Sequence, residues 1–89
     1  MVKVKKLVLD VLKPHQPNAL VFSQKIAAVG EGYKVHLTVI EVDENTESLL
    51  LVVEADSLDY DAIVSTINEL GGSLHSIDEV EVQGFPDND

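Results

Sequence analysis

Val4-Lys5-Lys6-Leu7-Val8-Leu9-Asp10-Val11-Leu12 is dominated by Val and Leu and stops at Lys13-Pro14-His15-Gln16-Pro17, where two prolines withdraw backbone donors that regular pairing needs. This predicts a first strand over residues 4–12, followed by a loop. Asn18 offers a capping oxygen to a helix, and Leu20, Val21, Ile26 and Val29 recur near helical spacing until Gly30 and Gly32 end it. The period then changes to two. Tyr33, Val35, Leu37 and Val39 alternate with Lys34, His36, Thr38 and Ile40, a second strand that runs into the polar turn Asp43-Glu44-Asn45-Thr46. Leu49-Leu50-Leu51-Val52-Val53 is continuously apolar, as in a strand covered on both faces. Asp56 or Ser57 can cap a second helix with Tyr60, Ile63, Ile67 and Leu70 as its stripe, ending at Gly71-Gly72, and residues 73–83 form the last strand.

The order βαββαβ places the chain in the α+β class. It is the ferredoxin-like arrangement, a four-stranded antiparallel sheet with two helices on one face. At 89 residues and 9.7 kDa, residues 1–89 form a single domain, and the turn-rich acidic tail 84–89 is expected to fray.

Strand parity has a further consequence. If Leu7, Leu9 and Val11 face the helices, Val4, Val8 and Leu12 point to the helix-free side, where Ile40 and Val42 join from the second strand and Leu50 and Val52 from the third. Such a face is too apolar for water, which points to self-association through Val8, Leu12, His36, Ile40, Val42, Leu50 and Val52.

Composition narrows the partners. Six Lys and no Arg stand against sixteen acidic residues, a net charge of −10 that repels phosphate backbones and anionic lipid, so neither nucleic acid nor membrane is an expected partner. All six lysines lie between Lys3 and Lys34 beside only Asp10 and Glu31, and every other acid follows them, an asymmetry that can orient neighbouring copies head to tail. The acidity also suits a salt-rich cytoplasm. No apolar run approaches membrane-span length, and the basic opening is broken by Asp10 without a cleavage site, so no signal peptide is read. With no Cys there is neither a disulfide nor a thiolate site.

Leu7-Val8-Leu9-Asp10-Val11-Leu12-Lys13-Pro14-His15 and Leu70-Gly71-Gly72-Ser73-Leu74-His75-Ser76-Ile77-Asp78-Glu79-Val80, together with Glu41-Val42-Asp43, resemble an archaeal family of small uncharacterised proteins, domain of unknown function two hundred eleven. The resemblance implies a ferredoxin-like subunit, an archaeal cytoplasmic source and closed homo-oligomeric rings. It implies no reaction.

The topology brings the Asp10–His15 stretch, the Asp43–Glu47 hairpin and Gly71–Asp78 to one loop edge. Asp10, His15, His75 and Asp78 there could hold zinc or another transition ion, whereas Asp43, Glu44 and Glu47 suit calcium or magnesium, although no diagnostic ligand spacing accompanies either set. A His–Asp pair could act as a base, but no nucleophile motif accompanies it. Alternatively, His15 simply fills a Pro-flanked turn, Asp10 and Asp78 accept local hydrogen bonds, and His75 packs at a subunit boundary. The expected function is a non-enzymatic, ring-forming cytoplasmic protein with a cation or small ligand at the loop edge or a subunit junction. Two alternatives remain, an amino-acid-sensor-like ligand module and a small metal-dependent enzyme.

Overall fold

A computed structural model describes residues 1–87. The elements are β1 (Val2–Pro14), α1 (Ala19–Ala27), β2 (Lys34–Val42), β3 (Thr46–Glu54), α2 (Tyr60–Glu69) and β4 (Ser73–Gly84), with sheet order β2-β3-β1-β4 and every pairing antiparallel. This is the ferredoxin-like fold the hydrophobic pattern predicts. Asn18 caps α1 by accepting from the Val21 N–H at 2.9 Å. For α2 the cap is Asp59, which accepts from the Ala62 N–H, rather than Asp56 or Ser57.

The core lies between the sheet and the helices. Leu7, Leu9 and Val11 of β1 and Leu49, Leu51 and Val53 of β3 meet Ile63 and Ile67 of α2 and Phe22 and Ile26 of α1. The stripe expected on α1 is only partly right, because Leu20 is exposed and Phe22 takes the central position. Tyr33 also packs on the core, and its hydroxyl accepts from the Asp59 N–H at 2.6 Å, tying the start of β2 to the start of α2.

Four register shifts interrupt the ladders. Lys5 is the extra residue in β1, Ile40 in β2, and His75 and Asp78 in β4. Each moves the following side chains to the opposite face relative to simple alternation. Val4 therefore packs on the core instead of facing away from it. Val42 stands opposite Glu47, on the helix side, and so leaves the helix-free face to which alternation assigned it. Val8, Leu12, His36, Leu50 and Val52 do lie on that open face, where they share rows with Asp10, Thr38, Ser76 and Glu79.

Strand and helix lengths do not match. Twelve residues of β4 span roughly 40 Å, while ten residues of α2 span about 15 Å. The molecule is accordingly drawn out to 54 × 22 × 17 Å, and Ile77, Val80 and Val82 remain exposed on the helix side of β4. In the tail segment expected to fray, the Phe85 N–H donates to the Met1 carbonyl at 2.7 Å, and the Lys3 and Lys5 ammonium groups sit 5.2 and 5.1 Å from the centroid of the Phe85 ring. Residues 88 and 89 of that tail lie outside the described residues.

Leu51 is fully buried at the sheet centre, so Leu51→Ala should cost about 2–5 kcal/mol in urea unfolding. Val39→Ala, at the exposed end of β2, should cost well under that range.

Candidate functional site

Lys13 continues the parity of Leu7, Leu9 and Val11 and is therefore carried to the helix side of the sheet, where it is 0 % exposed. A buried ammonium needs partners for its three donors. Its Nζ donates to the carbonyls of Pro14 at 2.8 Å and Pro17 at 2.7 Å, with His15 O more distant at 3.4 Å, and it meets Glu47 Oε1 at 3.1 Å. The loop Pro14–Pro17, which contains a cis Gln16–Pro17 bond, is thus wrapped around one side chain. Glu47 arrives from β3, directly opposite Lys13 in the register.

The second oxygen of Glu47 extends the network. His15 Nδ1 lies 3.0 Å from Glu47 Oε2, and its Nε2 lies 2.9 Å from the Glu44 carbonyl. Both ring nitrogens face acceptors, so both contacts are hydrogen bonds only when the imidazole is protonated. The Glu47 hydrogen bond, helped by the Glu44 carbonyl, raises the His15 pKa above the usual 6.5. Reciprocally, the bond from His15, followed by that from Lys13, lowers the Glu47 carboxyl below 4.5. Lys13, His15 and Glu47 clasp the loop after β1 to the β2–β3 hairpin.

The Gly71-Gly72 pair closes the same edge. Gly71 has a φ of +85°, and a Cβ there would stand 3.3 Å from Pro14 Cγ; one on Gly72 would stand 3.1 Å from the Leu12 carbonyl. These glycines let the turn after α2 pack directly on the Leu12 carbonyl and the Pro14 ring. The two sequence motifs, some sixty residues apart, are therefore halves of one packed corner.

The four side chains proposed as a transition-metal set do not converge. His15 is committed to the hairpin, with no lone pair left for a metal when protonated. Asp10 and His75 line a separate shallow depression of about 370 Å³ together with Leu12, Ser48, Ser73 and Leu74. Asp78, on a bulge, accepts from the Ser76 hydroxyl at 2.7 Å. The hard-cation set also separates, because Glu47 turns toward Lys13 and His15, Glu44 contributes its carbonyl, and the Asp43 N–H closes the hairpin onto Thr46 O. Among the described residues no three His, Asp or Glu side chains group as a metal site. Sequence reasoning missed Lys13 altogether. Its signal was parity: Lys13 follows Leu7, Leu9 and Val11, just as Glu47 precedes Leu49, Leu51 and Val53.

Among the described residues no helix is long and apolar enough to cross a membrane. A family model described as DUF211, uncharacterized ArCR, matches residues 5–84. The chain is also 40% identical over 77 residues to the uncharacterized protein MJ0319 of Methanocaldococcus jannaschii, covering 86% of this chain and 79% of that relative.

Lys13→Met removes the donor from buried carbonyls and one Glu47 oxygen, and should destabilise the fold by roughly 3 kcal/mol in chemical unfolding. The clasp should also be pH-dependent. A raised His15 pKa contributes stability that is fully present below 6.5 and lost as pH rises through the raised value. A depressed Glu47 pKa contributes stability present above 4.5 and lost as pH falls through the lowered value. The Tm difference between wild type and His15→Ala should therefore be larger at about pH 5.5 than at about pH 9.

Proposed function

The chain belongs to the DUF211 family of uncharacterized proteins, and from that premise we propose that it is a non-enzymatic subunit that assembles with copies of itself. The carrying observation is the placement of its exposed aliphatics. Val39, Ile40 and Val42 are 39, 64 and 65 % exposed on one edge strand, and Ile77, Val80 and Val82 are 47, 55 and 52 % exposed on the other. Two apolar patches at opposite edges of a sheet make a heterologous contact, in which each copy offers one edge to each neighbour. Such contacts close into a ring when the rotation between copies closes, and the ring is the form this proposal adopts.

The open face supports the reading less strongly. Its central Val8, Leu50 and Val52 are half-buried by their neighbours, and polar residues occupy much of the rest. A net charge of −10 per copy sets a further condition, because repulsion between like-charged subunits falls as ions screen it.

Native mass spectrometry and light scattering on the untagged protein test the proposal. The wild type should exceed the monomer mass, more completely at higher salt, and Val39→Lys or Val80→Lys should lower that mass while leaving the circular dichroism spectrum intact. A wild-type monomer at all salt concentrations defeats self-assembly. Loss of mass in Val52→Lys alone would transfer the contact to the open face.

A further inference from the structure

We infer that the free edge of β4 in one copy lies antiparallel beside the free edge of β2 in the next, without stagger, so that the two sheets continue as one. This rests on the self-assembly proposed above and specifies its surface. Within one chain β1 runs antiparallel to both β3 and β4, and β3 runs antiparallel to β2, so β2 and β4 are themselves antiparallel. A neighbour in the same orientation therefore presents its β2 to β4 in the sense an antiparallel ladder requires.

The rows of the sheet match side chain to side chain. On the helix side, Val80, Leu7, Val53 and Val35 form one row across the four strands, and Ile77, Leu9, Leu51 and Leu37 form the next. Leu74, Val11, Leu49 and Val39 form a third. Joining copies in register sets Val80 beside Val35, Ile77 beside Leu37, and Leu74 beside Val39, so the core continues across the boundary in every row.

The open side matches independently by charge. Glu81 shares a row with Lys6, Glu54 and Lys34, and Glu79 shares one with Val8, Val52 and His36. In the joined sheet Glu81 meets Lys34 of the next copy, and Glu79 meets its His36. Lys34 makes no ion pair among the described residues, whereas Lys3, Lys5, Lys6 and Lys13 all do. The following row sets Ser76 beside Thr38. Sliding the neighbour by one row on the same face would keep only one charged pair, Lys34 with Glu79 or His36 with Glu81, while a slide that flips faces would turn aliphatic against polar side chains on both.

The bulges at His75 and Asp78 confine regular hydrogen bonding on β4 mainly to the stretch from Glu79 onward. An unrelated strand lacks the matched rows that complete the contact, so the edge admits its own partner and resists indiscriminate pairing.

The absence of Cys makes the test clean. Lys34→Cys and Glu81→Cys are introduced together, and the protein is oxidised at its native mass and run denatured without reductant. Within one chain the two positions are three strand spacings apart, roughly 14 Å, too far for a disulfide. The expected result is a ladder of covalent multimers from the double variant and none beyond dimer from either single variant. Thr38→Cys with Ser76→Cys repeats the test one row away, in case the first pair disturbs assembly. Double variants that keep the assembled mass but give no ladder in either row overturn the edge register while leaving self-assembly standing. A wild-type monomer defeats both.

Discussion

A lysine placed where a core residue belongs organises one whole end of this molecule. The parity of β1 carries the Lys13 ammonium to the apolar side of the sheet, and burial of an unpaired charge there would be prohibitive. Three backbone carbonyls and the Glu47 carboxylate resolve the problem, and in doing so they dictate the path of the Pro14–Pro17 loop. Replacing the pair with packed aliphatics could match its contribution to stability, because buried ion pairs are weak stabilisers. It could not reproduce the directionality, since an aliphatic side chain has nothing to offer the loop carbonyls.

The network also assigns roles to side chains that look chemically available. His15 resembles a ligand or base when read alone, yet both its ring nitrogens already face acceptors, the Glu47 carboxylate and the Glu44 carbonyl. Glu47 resembles one member of an acidic hairpin, yet its two oxygens are taken by Lys13 and His15. The chemistry of a side chain depends on what its partners leave free, and here they leave little.

The element order was legible because the hydrophobic period changes cleanly, from the β1 run to the helical spacing of Ile63 and Ile67 and to the alternation of Val35, Leu37 and Val39. Bulges were not legible. Nothing in the residues around Lys5 or Ile40 announces an extra residue, and one in each strand moved Val4 against the core and Val42 to the helix side. The candidate site was legible at the level of segments: the two motifs do meet, through Pro14 and Gly71. The Lys13–Glu47 pair was carried by parity, since alternation counted outward from the core sets both on the helix side, but the contacts of Lys13 with the loop carbonyls depend on a loop path that no periodicity encodes. Phe22 escaped for a related reason, as the apolar cluster Leu20-Val21-Phe22 admits more than one buried stripe.

The position of β1 also bears on how the chain acquires its structure. It is the central strand with β3, flanked by Thr46–Glu54 on one side and Ser73–Gly84 on the other, so it is synthesised before both of its partners and waits for them. Topologies built from such distant pairings fold slowly for their size, and until β4 emerges the Val- and Leu-rich β1 has one edge unsatisfied. The lysines at positions 3, 5 and 6 place charge at the head of that strand, the kind of feature that disfavours pairing with a wrong neighbour.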